Sequence, residues 1–156
     1  MTLTHRLFIA NFGGACFVIW AYWLGYIARV VEADGAHMAY IIATVFLAGV
    51  ISTFFQASRV GKISVEQSRI GSAHLYDLYT ALFILGIIGN AIGFLTAFGG
   101  VDIADLATPE GVRKAGAQLL SGAGTAFGST LVGLTLALWT SINLRILATA
   151  QDKADG

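Results

Sequence analysis

Apolar residues fill four long blocks of this chain, Leu7–Ile27, Met38–Phe55, Leu78–Phe98 and Gln118–Leu144. None of the four contains Asp, Glu, Lys, Arg or His. A helix needs about 20 apolar residues to cross roughly 30 Å of hydrocarbon, and each block approaches or exceeds that length. Lipid offers a backbone no hydrogen bonds, so the helix, which satisfies its own, is the expected form. The pattern predicts an all-α integral membrane protein with four transmembrane helices, at about 7–27, 38–55, 78–98 and 118–144, in one membrane domain over 1–156. The first block starts like a secretory signal but is too long and too aromatic for one, and no small-residue cleavage site follows it; it reads as a retained span.

Polar segments link the blocks. "RVVEADGAH" reads as a short turn between spans one and two. "SRVGKISVEQSRIGSAHLYD" reads either as an amphipathic helix or as extensions of spans two and three. In "GGVDIADLATPEGVRKAGA", Thr108 is placed to cap a helix whose first position is Pro109. Span four then begins well before its apolar block and is longer than a bilayer requires. Lys and Arg sort six to three, with Arg6, Arg59, Lys62, Arg69, Arg145 and Lys153 on one side and Arg29, Arg113 and Lys114 on the other. That bias places both termini in the cytoplasm. Trp20, Tyr22, Trp23 and Tyr26 crowd the outer end of span one. Tyr76, Tyr79 and Trp139 mark inner ends, as interfacial belts do.

Composition narrows the function classes. The 156 residues are 56% hydrophobic and 12% charged, against about 25% charged in soluble domains. The formal net charge is zero, which argues against a nucleic-acid partner. Cys16 is the single cysteine, so neither a disulfide framework nor a thiolate metal site is expected. No Ser/His/Asp set, HExxH or phosphate-binding glycine loop is present, so an enzyme is not expected. His5 and His74 both fall at the inner edge and in principle offer axial haem ligands, with His37 on the opposite side. Without a supporting shell, interfacial histidines are the plainer reading, and no metal or cofactor is expected. Asp77 and Arg145 end spans three and four and read as an interfacial ion pair. Arg113 and Lys114, beside Asp102, Asp105 and Glu110, read as a solvated outer rim.

One polar residue stands out in span three. Asn90 interrupts "LGIIGNAIGFLTAFGG" with no charge near it. At helical spacing Gly86, Asn90, Gly93 and Ala97 share a face, with Gly89 beside them. Span four repeats the device with Gly122, Ala126, Thr130, Gly133 and Ala137, flanked by Thr125 and Ser129. Small residues let helix backbones approach, and Asn, Ser and Thr bond across the contact. Asn90 lies about 18 Å along its block and Thr130 about 18 Å along the other, which runs in the opposite direction, so the two come to similar depth. Two readings follow. Asn90 and Thr130 bond to each other and fix packing, or they line an ion path or a cavity for an ionisable group on another chain. On the second, Asn90, Thr130, Thr125, Ser129, Gly93 and Gly133 are the lining, and Gly86, Gly89, Ala97, Gly122, Ala126 and Ala137 the packing positions. Spans one and two lack such stripes and are expected to face lipid. Intramembrane relays normally use buried Asp, Glu or His, so any acid would come from a partner.

"LGIIGNAIGFLTAFGGVD" and "TAFGSTLVGLTLAL" resemble the MotA/TolQ/ExbB proton-channel family. They share its Gly-rich helix ending in Ala-Phe and its following helix with Ala…Thr-x-x-Gly-Leu. The resemblance covers about half the chain. Four spans with internal termini are similar to the MotA branch. The resemblance implies a homo-oligomer, a pentamer, in the bacterial inner membrane. Its last two spans line a central pore that holds a single-span, Asp-bearing partner of the MotB/TolR/ExbD type. By motif position Thr130 corresponds to the family's pore threonine. Asn90 stands where ExbB and TolQ have the threonine of a Gly-Thr-Val motif, and Thr125 where they have a glutamate. The middle loop is far shorter than the family's cytoplasmic domain, and MotA-type membrane prolines are absent. The implied function is a scaffold subunit of a proton-driven motor, with sodium not excluded. The alternative is a structural or holin-like membrane oligomer without ion coupling.

Overall fold

The computed structural model describes residues 2–154, apart from the side chain of Asp105. It is all-helical, with no strand among the described residues. The helices are α1 (Leu3–Trp23), α2 (Tyr26–Ala33), α3 (Met38–Ala57), α4 (Val65–Ser72), α5 (His74–Gly99) and α6 (Pro109–Lys153), with a 3-10 turn at Ala104–Ala107. Four helical stretches are long and apolar enough to cross a membrane: α1, α3, α4 with α5, and α6.

Local chemistry explains the boundaries. Gly25 takes φ +75, a left-handed conformation cheap only for glycine, and breaks α1 from α2. Half of the expected turn "RVVEADGAH" is therefore helix, and α1 with α2 makes one bent element. Ser64 caps α4, its hydroxyl accepting the Gln67 N–H. The middle loop thus forms a short polar helix that leads into α5 through Ala73. Thr108 Oγ1 accepts the Gly111 N–H at 3.0 Å and Pro109 opens α6, as the sequence predicts. With 45 residues, α6 is about 68 Å long.

The core is the antiparallel α5–α6 hairpin, its two helices in contact through small residues. A Cβ added at Gly133 would lie 2.7 Å from Gly86 Cα and 2.9 Å from Leu82 O, and one at Gly93 would lie 2.8 Å from Ala126 Cα and from Gly122 O. These are backbone atoms that no rotamer change can move. Glycine is what lets the axes come this close.

The second apolar span departs from expectation. About 33% of the apolar window of α3 is buried inside the chain, the same share as for α6, whereas α1 buries 6%. Met38, Ile42 and Phe46 pack on Leu82 and Ala137, so α3 contributes to the core and α1 is the most exposed of the four. Bulk and apolarity alone do not tell a lipid-facing helix from a core one, since both contacts are apolar. Trp139 is not an interfacial anchor either. Its ring lies 4.9 Å from that of Phe46 and fills the space left by Gly14. On α6, Gly124 and Gly128 seat α2 against Ala33 and Val30; the sequence reading assigned neither of them a role.

The helices are staggered. Met38, the first residue of α3, lies beside Gly89 and Ser129 at the middle of the hairpin. Beyond that level α5 continues for about 15 Å and α6 for about 30 Å, with α2 and the 33–37 link flanking part of α6. The level of Asn90 and Thr130 is central along the hairpin but falls at the first turn of α3.

Candidate functional site

Asn90 and Thr130 meet across the seam, with Asn90 Nδ2 donating to Thr130 Oγ1 at 3.1 Å. The Thr130 hydroxyl faces two carbonyls, Ala126 O at 2.9 Å and Gly86 O at 3.3 Å. It has one hydrogen to give, so that hydrogen stays within the chain. Both residues are half-buried.

Helical geometry places the pair on one side of the seam. α3 covers the other side through Leu85, Ile92, Val132 and Leu136. At 100° per residue, Phe83, Ile87, Phe94 and Phe98 fall on the same side of α5 as Asn90, and Phe127, Leu134 and Leu138 on the same side of α6 as Thr130. All seven are exposed. Phe94 meets Phe127 edge-on, with centroids 6.4 Å apart. The result is a wide apolar face with one amide–hydroxyl bond at its base, and nothing else among the described residues covers it.

The other expected lining residues lie inside the chain. Gly93 and Gly133 are within the seam. Thr125 is 5% exposed and turns toward the α2–α3 link, donating to Ala33 O at 2.8 Å and accepting the Gly35 N–H at 3.1 Å. Ser129 is fully buried and bonds its own helix at Thr125 O and Ala126 O. Of the six, only Asn90 and Thr130 reach the open face. The six expected packing positions are all buried: Gly86 against Gly133, Gly89 against Ser129, Ala97 against Gly122, Ala126 against Gly93, and Ala137 beside Leu82.

Three polar features were missed from the sequence. Asn11 and Asn143 form a reciprocal amide pair between α1 and α6 at 3.0 and 3.1 Å. Each sits in an apolar block as Asn90 does, and the same question of what satisfies a buried amide would have found them. At the end that carries the termini, buried Gln151 donates to Ser68 and Ser72 and ties α4 to α6. The third is Asp34, 2% exposed, whose Oδ2 accepts the Ala39 N–H at 2.5 Å at the start of α3 while Oδ1 has no partner. Its signal was the Asp-Gly step of a turn. Beside the link runs an open groove of about 570 Å³ lined by Gly35, Ile92, Thr96, Gln118 and Thr125.

The expected pair of Asp77 and Arg145 does not form. An ion pair at that end joins Arg69 to Asp152 at 2.6 Å, because α4 brings Arg69 over the end of α6. On the opposite rim Arg113 pairs with Glu110 at 2.9 Å, both well exposed; the Asp105 side chain lies outside the described residues. His5 Nδ1 bonds Thr2 Oγ1 and His74 Nε2 bonds Ser52 Oγ, so each ring engages a local hydroxyl. No group of three His, Cys, Asp or Glu side chains converges among the described residues. Comparison of the chain with family models, curated proteins and solved structures finds no match.

Proposed function

We propose that this chain is the wall-forming scaffold subunit of a membrane complex driven by an ion gradient. In this reading it spans the bacterial inner membrane four times with both termini in the cytoplasm. Copies of it, five by the motif resemblance, turn their open α5–α6 faces toward an axial cavity. A single-span partner of the MotB/TolR/ExbD type brings an aspartate into that cavity. The observation that carries the reading is the Asn90–Thr130 pair on a charge-free face that the other described residues leave uncovered. A carboxylate at mid-membrane costs about 2.5–3.5 kcal/mol on insertion scales, so an acid held there has reason to exchange protons where polar groups meet it.

The test begins with the neighbouring reading frames: a single-span, Asp-containing protein encoded there is reconstituted with this chain in liposomes. Proton uptake is measured for wild type and Thr130→Val, and repeated with a sodium gradient. Assembly is expected to survive the substitution while ion flow is lost. Full flow in Thr130→Val overturns the proposal. A second reading, a structural or holin-like oligomer, is favoured by one observation: the Thr130 hydrogen and the glycine stripe are already engaged within the chain. A neighbouring reading frame without an Asp-bearing single span favours that alternative.

A further inference from the structure

The open groove beside the 33–37 link has a graded lining. It follows α6 from Lys114 to Thr125, a rise of about 16 Å. Lys114 precedes the apolar block that starts at Gln118, and Thr125 lies inside that block. Near Lys114 the wall is polar, with Gln118 and Ser121; toward the link it turns to Gly35, Ala36 and Ile92. No Asp or Glu is among the lining residues. The stagger of the helices opens this space. α3 starts at Met38, beside Gly89, so beyond that level the hairpin lacks its third long helix.

Two side chains on the wall are unsatisfied. Every other Ser and Thr in the four apolar blocks bonds within the chain, most of them to the preceding turn of their own helix. Ser121 makes no hydrogen bond among the described residues. Neither does Gln118, three residues earlier on the same helix face. The Gln118 carboxamide rests over Gly100, where no side chain competes for the space. Donors facing hydrocarbon are costly unless something accepts from them. We propose that the groove seats an anionic phospholipid of the leaflet remote from the termini. Its phosphate accepts from Gln118 and Ser121 beside Lys114, and an acyl chain runs along Ile92 toward the link. The order of the chemistry identifies the guest: cation and neutral donors at the boundary, apolar wall within the slab. A soluble anion matches only the first part. A head group ending in a cation finds no acid on this wall to receive it. The proposal stands on the membrane-spanning hairpin and not on an ion-driven function.

Native mass spectrometry of the full-length chain tests this, with release from micelles holding equal amounts of dioleoyl phosphatidylglycerol and dioleoyl phosphatidylcholine. Wild type is expected to retain one phosphatidylglycerol per chain, favoured about tenfold over phosphatidylcholine, as for one charge-assisted hydrogen bond. Ala117→Trp places an indole in the groove from a lining position and is expected to abolish retention. Leu120→Trp, at similar height but exposed outside the groove, is expected to leave it unchanged. Ser121→Ala, which removes one donor, is expected to lower it about fivefold, and this variant decides the matter if Ala117→Trp does not fold. Equal retention of the two lipids, or equal loss in both Trp variants, means general lipid contact and overturns the proposal. Displacement of the lipid by millimolar inorganic phosphate assigns the groove to a soluble anion and overturns it too. So does an Ala117→Trp chain whose only change is loss of self-association, which assigns the groove to a second copy. Ion flow is not read here, so failure of the proposed function leaves this result standing.

Discussion

A methyl group at Gly93 tests the seam, and one at Gly116 supplies the contrast. The Cβ of Gly93→Ala would stand 2.8 Å from Ala126 Cα and from Gly122 O, about 1 Å inside ordinary carbon contact. Backbone cannot rotate away, so the helices must separate by about that amount. Overpacking of this kind costs roughly 1–3 kcal/mol. The same movement stretches the Asn90–Thr130 bond from 3.1 Å beyond hydrogen-bonding range. Gly116, also in α6, has nothing within 4 Å of an added Cβ, and Gly→Ala in an exposed helix interior gains about 1 kcal/mol. Equilibrium unfolding of each purified variant in mixed micelles should therefore shift in opposite directions, with Gly93→Ala destabilised and Gly116→Ala stabilised. If Gly93→Ala matches or exceeds Gly116→Ala in stability, the hairpin is not in contact as described and the account of the face it creates fails with it.

Other substitutions report on the polar bonds the chain makes with itself. Asn11→Leu and Asn143→Leu should show a coupling of about 0.6–1.7 kcal/mol in a double-mutant cycle; additive effects would mean the amide pair contributes nothing. Asp34→Ala should lose about 1 kcal/mol by uncapping α3. Asp34→Asn, which keeps an acceptor for the Ala39 N–H and removes a buried charge, should be as stable as wild type; equal unfolding midpoints for both variants would refute the cap. Gln151→Leu, which leaves the buried Ser68 and Ser72 hydroxyls without their donor, should cost about 1–3 kcal/mol. Asp152→Asn, which breaks a half-exposed pair, should cost under about 1 kcal/mol and less in high salt.

Helix content and the small-residue seam were legible because both follow from local pattern: unbroken apolar blocks, and glycines three and four apart on facing helices. The start of α6 at Thr108 and Pro109 was legible for the same reason. What the blocks could not convey was their relative height and rotation. Met38 lies level with Gly89 because α2 and the 33–37 link occupy the level above it, and nothing in an apolar run encodes that stagger. Rotation decided the site: Thr125, Ser129 and Thr130 lie within six residues of one another in span four. Yet 100° steps turn the first toward Ala33, the second into the core and the third toward Asn90. Trp139 failed as a belt residue because Gly14 and Phe46, both distant in sequence, make a slot for its ring.

The three asparagines of this chain carry the remaining argument. All lie within apolar blocks, where an unbonded amide is costly. Asn11 and Asn143 answer each other, and Asn11 gives its second hydrogen to Leu7 O. If Asn90 served packing alone, a threonine or serine bonding back to its own helix would suffice, as Ser129 and Thr130 show on α6. An amide at Asn90 instead keeps one N–H and its Oδ1 without a partner among the described residues. Asn90 differs from that pair in one respect: among the described residues its Oδ1 has no partner, whereas Asn11 Oδ1 and Asn143 Oδ1 each accept the other's N–H.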